Sequence, residues 1–169
     1  MRKVLVLALV LLLATSTLLI TAAPASACYG TCRWTGGGTI GDTRDPRATH
    51  GFELHCSVEQ LPNNLEVNWG GSRFHMTELT FVECFDDPAI NPKPPVAGCD
   101  TIHGIGVGRY NGEDGYQVEF VFTDAGEPGT RDWGWVHITD AGGATVMEYS
   151  GFLVKGNHQA HNLTGKDAR

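Results

Sequence analysis

The strongest constraint on the fold is a strict alternation of apolar and polar residues near the middle of the chain. Apolar side chains recur at every second position, at Tyr116, Val118, Phe120 and Phe122. A period of two is that of a half-buried β-strand. Upstream, Ile105 and Val107 alternate with glycines, and the intervening residues 111–115 contain both an Asn-Gly and an Asp-Gly step. Together these features predict a β-hairpin.

A second hairpin is predicted around the Gly-Gly step at positions 70 and 71. A two-residue loop there would set Val67 opposite Phe74 on the apolar face and Glu66 opposite His75 on the polar face. The alternation changes phase after Met76, which predicts a bulge near positions 77 and 78. The pattern therefore specifies the register of this hairpin as well as its existence.

The mature chain has no helical periodicity of useful length, and its short apolar runs are separated by turn residues. We therefore predict an all-β fold, a single-domain antiparallel β-sandwich of jelly-roll type with about nine or ten short strands. An up-and-down barrel is the second choice. In this interpretation residues 28–50 form a glycine-rich N-terminal arm with one short strand, 51–161 form the sandwich, and 162–169 form a polar tail.

The first 27 residues have the pattern of a secretory signal peptide. Arg2 and Lys3 precede an almost wholly apolar run from Val4 to Ile20, and Ala25-Ser26-Ala27 supplies small residues for cleavage. A membrane anchor is the alternative, because the run is nearly long enough to span a bilayer. We expect cleavage after Ala27 and a secreted protein, with lipid attachment at Cys28 as the minor alternative.

The charge balance limits the partners that this chain can have. The full sequence carries 12 basic and 19 acidic residues, and loss of Arg2 and Lys3 leaves 10 − 19 = −9. Nucleic acids and anionic membrane surfaces are bound through clustered Lys and Arg, which this sequence lacks. We expect an extracellular protein or glycan as the partner, with no nucleic acid and no stable membrane span after signal cleavage.

The five cysteines fit an oxidising compartment. Cys56 and Cys84 both end apolar strands in the same region, so we predict that they form a disulfide. A second bond between Cys32 and Cys99 would tie the glycine-rich arm to the body of the domain. An odd number of cysteines then leaves Cys28 over.

The acidic loop after the central hairpin is a candidate calcium site. Asp124, Glu127 and Asp132 supply hard oxygen ligands, and Gly126 and Gly129 allow backbone carbonyls to turn toward a cation. The spacing matches no EF-hand. The alternative is an ordinary Asx-type turn with solvated charges.

A candidate ligand-binding face lies on the strand that follows this loop. Trp133, Trp135 and His137 share one face, and Val136 and Ile138 lie on the other. If the aliphatic residues point inward, two indoles stand outside, where flat aromatic rings with a polar edge suit a sugar or a protein partner. The more ordinary expectation is that the tryptophans cap the end of the core.

The sequence contains no G-x-S-x-G, H-E-x-x-H, Walker or Rossmann pattern. His158 and His161 are three residues apart, which places them on opposite faces of a strand and argues against a metal pair. We therefore assign no catalytic residue. A pair of carboxylates for glycoside hydrolysis would leave no local signature, so a small secreted hydrolase remains an alternative.

Six distinctive segments together cover nearly all of the mature chain: TGGGTI, HGFELHC, NNLEVNWGGSRFHMTELT, a C-x-D-D-P step, FTDAGEPG and GNHQAH. In combination they resemble a module that recurs in secreted bacterial proteins, often beside surface-attachment or repeat domains. Cys56 and Cys84 match the cysteine positions of that module. The resemblance implies an exported bacterial β-module and assigns no site residue.

These observations favour a secreted, non-enzymatic β-module that binds an extracellular partner, a glycan or a surface component. The alternatives are the hydrolase with paired carboxylates and a purely structural module. Acids facing each other across a cleft would favour the hydrolase, and an exposed aromatic strip would favour binding.

Overall fold

A computed structural model describes residues 26–28, 32–41, 48–93 and 97–163. These residues form nine strands and one 3-10 turn, at Gly129–Arg131. The strands are β1 (Ser26–Ala27), β2 (Cys32–Ile40), β3 (Ala48–His55), β4 (Asn64–Trp69), β5 (Ser72–Asp86), β6 (Thr101–Tyr110), β7 (Glu113–Thr123), β8 (Trp133–Thr139) and β9 (Thr145–Asn162).

Strands β2 to β9 form a closed, eight-stranded antiparallel barrel. Each strand pairs with its neighbour in sequence, and β9 returns to pair with β2 from Asn162 opposite Cys32 to Leu153 opposite Ile40. The predicted sandwich of nine or ten strands is therefore wrong. Alternation along each strand is the same in a sandwich and in an up-and-down barrel, and the β2–β9 pairing that distinguishes them joins opposite ends of the sequence.

Glycines in β2 allow its two neighbours to approach closely. A Cβ on Gly36 would lie 2.5 Å from the carbonyl oxygen of Asn157 in β9, and one on Gly37 would lie 2.5 Å from that of His50 in β3. Any side chain at these positions would push β2 away from the strands on either side. The segment that the sequence analysis assigned to an arm thus supplies the nine-residue strand that closes the barrel.

Glycines also line the inner face of β6. A Cβ on Gly104 would overlap the ring of Phe120, and one on Gly106 would overlap the side chain of Met76. Large side chains from β5 and β7 therefore fill the space beneath β6. Ile105 and Val107, which alternate with these glycines, face outward, and Val107 is 38% exposed.

Both predicted hairpins are confirmed. Glu66 pairs with His75 and Val67 with Phe74, and the register of β5 shifts between Met76 and Glu78, where the bulge was expected. In the central hairpin Asn111 and Gly112 form the turn, with φ of 52° and 92°. That pair of positive values is the turn that Asn-Gly favours.

The barrel interior is filled by side chains from all eight strands. Its largest fully buried members are Trp34, Phe74, Phe120, Phe122, Ile40, Leu54, Leu65, Met76, Ile102, Ile138, His158 and Val67. An eight-stranded barrel is just wide enough for side chains to fill it. Candidate functional groups must therefore be sought on its outer face and at its ends.

Two predictions fall mainly outside the described residues. They are the signal peptide, of which only positions 26 and 27 are described, and the polar tail, whose positions 164–169 are not. Among the described residues, no helix is long and apolar enough to cross a membrane.

Candidate functional site on the outer face of the barrel

The two faces of β8 differ sharply in burial. Val136 and Ile138 are 0% exposed and belong to the core, whereas Trp133, Trp135 and His137 are half-buried on the other face. A closed barrel has its core on one side of the sheet only, so these three side chains lie on the outer surface. The structure thus adopts the arrangement in which the two indoles stand outside the core.

Phe152 of β9 extends this row. It pairs with Trp133 and is 65% exposed, a large value for an aromatic side chain. We call Trp133, Trp135, His137 and Phe152 the outer aromatic strip. Alternate residues of a strand are about 6.7 Å apart, so the strip presents successive flat groups along one line.

Polar groups border the strip and orient its rings. The Trp135 indole Nε1 donates to Glu148 Oε1 at 2.9 Å, and His137 Nε2 lies 2.9 Å from Thr145 Oγ1. The rings of Trp135 and His137 have centroids 5.9 Å apart. The result is a set of aromatic faces flanked by carboxylate, hydroxyl and imidazole groups.

The strip continues into a broader apolar area across β7, β6 and β5. Val121 of β7 pairs with Trp135, and Ile105 of β6 pairs with Phe81 of β5. Phe81 is 42% exposed. Apolar side chains on the outer face therefore extend beyond the strip itself.

The predicted calcium ligands do not share one role. Asp132 is 0% exposed, and its two oxygens accept the backbone N–H groups of Ala125 and His158, at 2.9 and 2.7 Å. The side chain therefore fastens the loop before β8 to strand β9. Burial raises the pKa of Asp132 to about 6, although the two N–H donors act against this shift.

Asp124 and Glu127 line a shallow depression of about 270 Å³ together with Gln159, Asn162 and neighbouring residues. Both oxygens of Asp124 accept backbone N–H groups, from Gly126 at 2.9 Å and from Ala160 at 2.8 Å. Glu127 Oε1 accepts from the amide groups of Asn157 and Gln159, at 2.8 and 3.2 Å. These N–H groups occupy the carboxylate oxygens to which a cation would have to bind.

The calcium site remains a prediction. If it exists, the melting temperature of the wild-type chain will be higher in excess calcium than in a buffer with chelator. The double variant Asp124→Asn, Glu127→Gln should then melt at the same temperature in both buffers. Equal melting temperatures for the wild-type chain in the two buffers would show that the loop is only a turn.

The cysteines converge at one end of the barrel. Cys56 and Cys84 form a disulfide, as predicted, with Cα atoms 5.7 Å apart. The sulfur atoms of Cys32, Cys56 and Cys99 all lie within 4.8 Å of one another. Cys56 is oxidised, so this cluster is not a set of three thiolate ligands for a metal. The Cys32–Cys99 bond remains a prediction, and the two sulfurs are close neighbours.

Sequence reasoning missed a buried pair of histidines. His158 of β9 is 0% exposed and His50 of β3 is 6% exposed, and their Nε2 atoms are 2.7 Å apart. His158 Nδ1 lies 3.0 Å from the carbonyl oxygen of Thr123, which can only accept a hydrogen bond. Nδ1 therefore carries the proton of His158, and His50 Nε2 must donate to His158 Nε2.

This tautomer leaves His50 Nδ1 as an acceptor, and among the described residues it has no hydrogen-bond partner. Burial lowers the pKa of His158 to about 4, and burial together with the proximity of His158 lowers the pKa of His50 to about 3. The two rings pack against Phe52 and Phe122 as members of the core. Their meeting depends on the β2–β9 closure, so no local sequence signal could have revealed it.

A third histidine lies on the outer face. His103 Nδ1 is 3.0 Å from Glu83 and its Nε2 is 2.9 Å from Glu119. Partial burial lowers the pKa of His103, but the hydrogen bonds and negative charges of the two glutamates outweigh it, so that the pKa is raised. This bridge borders the apolar area beside Val121.

Comparison with protein-family models, with curated proteins and with solved structures gives no match to this chain.

Proposed function

We propose that this chain is an exported binding module that holds a neutral polysaccharide against the outer aromatic strip. The observation that carries the proposal is the orientation of β8. Val136 and Ile138 occupy the core, and Trp133 and Trp135 are therefore presented outside it. Full burial of these indoles in the core would stabilise a fold more than a half-buried position on its surface, so their position outside the core suits binding.

The chemistry of the strip suits a sugar chain. A pyranose ring has apolar C–H faces and a rim of hydroxyl groups, so it needs flat apolar surfaces beside hydrogen-bonding groups. The indoles and Phe152 supply the surfaces, and Glu148, Ser150 and His137 supply polar groups along the same strands. The strip lies on the convex outside of a barrel, which fits an extended polymer better than an enclosed small ligand.

The negative charge of the chain favours neutral polysaccharides over anionic ones. The chain carries a formal net charge of −7, and Glu119 and Glu148 flank the strip itself. An anionic polymer would be repelled by this surface. A neutral polymer would meet no such penalty.

Hydrolysis by paired carboxylates has less support. Asp124 and Glu127 share the shallow depression, but backbone N–H groups hold both oxygens of Asp124. A general acid in glycoside hydrolysis must present a carboxyl oxygen to the leaving group, whereas the backbone engages both oxygens of Asp124. The acids of this depression therefore serve to fix the loop against β9.

The test is retention of the purified chain on a panel of insoluble neutral polysaccharides, cellulose and chitin among them, with polygalacturonate as the anionic comparison. We expect retention on at least one neutral polymer and none on the anionic one. Trp135→Ala should weaken retention at least tenfold, because the central ring of the strip is lost. Leu61→Ala, at an exposed apolar residue between β3 and β4 and outside the strip, is the matched control and should leave retention unchanged.

Circular dichroism and melting temperature must show that each variant keeps the barrel. Absence of retention on every neutral polymer, or retention that Trp135→Ala does not change, would exclude the strip as a carbohydrate site.

A further inference from the structure

All five cysteines meet at one end of the barrel, around the disulfide that is already formed. The backbone N–H of Cys56 donates to the carbonyl oxygen of Cys32 at 3.1 Å, and that of Cys28 donates to Cys84 at 2.9 Å. Residues 28 and 32 thus flank the two ends of the Cys56–Cys84 bond. The remaining cysteine, Cys99, lies in the connection between β5 and β6.

Cys99 is close to both of the other thiols. Its sulfur lies within 4.8 Å of that of Cys32. Cys28 lies on the other side, where its Sγ donates to the carbonyl oxygen of Gly98, the residue that precedes Cys99, at 2.7 Å. Cys99 therefore stands between two candidate partners and can bond to only one of them at a time.

We propose that Cys99 forms two alternative disulfides, Cys32–Cys99 and Cys28–Cys99, which interconvert by thiol–disulfide exchange. The end of the barrel is then a thiol-exchange site built from three cysteines beside one permanent disulfide. Cys28 is its outward-facing member, because it is half-buried, whereas the other four cysteines are fully buried.

The two disulfides form in two steps, an oxidation followed by an exchange. A small-molecule or protein disulfide first oxidises the Cys32 and Cys99 thiols, which form one S–S bond while the oxidant is reduced to two thiols. The Cys28 thiolate then attacks the sulfur of Cys99. The S28–S99 bond forms, the S99–S32 bond breaks, and Cys32 leaves as a thiolate that takes up the proton lost by Cys28.

The exchange changes which segments of the chain are joined by the disulfide of Cys99. The Cys32–Cys99 bond joins the start of β2 to the β5–β6 connection, and the Cys28–Cys99 bond joins the segment before β2 to the same connection. Burial raises the pKa of the Cys28 thiol, with nearby acidic groups adding to the effect. The attacking thiolate is therefore scarce near neutral pH, and exchange should accelerate as the pH rises.

The experiment maps the disulfides of the purified chain after equilibration in a buffer of reduced and oxidised glutathione at pH 8.5. Acid quenching, alkylation of the remaining thiols and non-reducing peptide analysis then identify each bond. We expect Cys56–Cys84 in every molecule and two populations, one with Cys32–Cys99 and one with Cys28–Cys99. The alkylated cysteine should be Cys28 in the first population and Cys32 in the second.

Matched variants separate the two bonds. Cys28→Ser should give Cys32–Cys99 alone, Cys32→Ser should give Cys28–Cys99 alone, and Cys99→Ser should give neither. Near-ultraviolet circular dichroism reports whether each variant folds, and the wild-type mapping decides the question if one does not.

Several results would overturn the proposal. They are a single linkage of Cys99 in the equilibrated wild-type chain, a Cys28–Cys32 bond that leaves Cys99 alkylated, a bond that separates Cys56 from Cys84, and a lipid thioether on Cys28.

Discussion

Histidine side chains have opposite pKa shifts in the interior and on the outer face of the barrel. Inside, His50 and His158 share a hydrogen bond of 2.7 Å, and burial lowers the pKa of both. Outside, His103 lies between Glu83 and Glu119, which raise its pKa despite partial burial. The inner pair is neutral at pH 7, and each ring is committed to one tautomer. The outer ring gains a proton more readily than an ordinary histidine.

This difference shows that burial determines the role of a polar side chain in this barrel. An unpaired charge in the core would be costly, so the inner histidines behave as hydrogen-bonded aromatic rings that pack with Phe52 and Phe122. On the outer face water screens the charges, and the Glu–His–Glu bridge costs little and contributes little. The inner pair should therefore dominate stability, and the outer bridge should adjust it only slightly.

The largest expected effect comes from His158→Ala. This change removes a fully buried ring, takes away the acceptor of His50 Nε2 and leaves the carbonyl oxygen of Thr123 without its donor. We expect the free energy of unfolding at pH 7 to fall by about 3–5 kcal/mol, in the range for loss of a buried aromatic ring. Equilibrium denaturation of both chains measures it, and a loss below about 1 kcal/mol would show that the pair does not belong to the core.

The next effect is the pH dependence of the inner pair. An unfolded histidine takes up a proton near pH 6.5, whereas folded His50 and His158 do so only near pH 3 and 4. Between these values the unfolded chain binds more protons, so stability falls as the pH falls. Each histidine should lower the free energy of unfolding by about 1.4 kcal/mol per pH unit across that window.

Asp132 opposes this trend over part of the same range. Its pKa is raised to about 6, so the folded chain holds the proton more tightly than the unfolded chain between about pH 3.8 and 6. Its contribution to stability therefore decreases as the pH rises through that window. Total stability mixes the two effects, and site-resolved measurement is needed to separate them.

Nuclear magnetic resonance titration of the histidine rings provides that resolution. We expect the His50 and His158 signals to stay constant from pH 8 to pH 5, and the His103 signals to change with a midpoint above 6.5. Titration of either inner ring near pH 6.5 would contradict the conclusion that burial lowers the pKa of both inner histidines.

The sequence predicted those parts of the molecule that depend on near neighbours. The Glu66–His75 pairing, the bulge after Met76 and the Asn111-Gly112 turn all follow from residues within one hairpin. The Cys56–Cys84 bond was also predicted correctly, because both residues end apolar strands of the same region.

The parts that were not predicted depend on contacts between distant segments. Alternation cannot show whether a sheet closes. The segment that contains Gly36 and Gly37 was predicted to be an arm with one short strand, because the partners of these glycines lie 14 or 16 residues away in β3 and more than 100 residues away in β9. The same closure brings together His50 and His158. Trp133 and Trp135 were recognised as one face of a strand, but only the closed barrel shows which face is outside.

The smallest expected effect is that of His103→Ala, the matched counterpart of the change at His158. The bridge to Glu83 and Glu119 has partners that are 54% and 40% exposed, so solvent weakens it. We expect a loss below about 1 kcal/mol at pH 6, where the ring is charged. The raised pKa means that the charged bridge stabilises the fold below pH 6.5 and stops doing so as the pH rises through the folded value, so the loss should be smaller still at pH 9. Denaturation of both chains at the two pH values measures this, and a loss comparable to that of His158→Ala would mean that the outer bridge is part of what holds the barrel together.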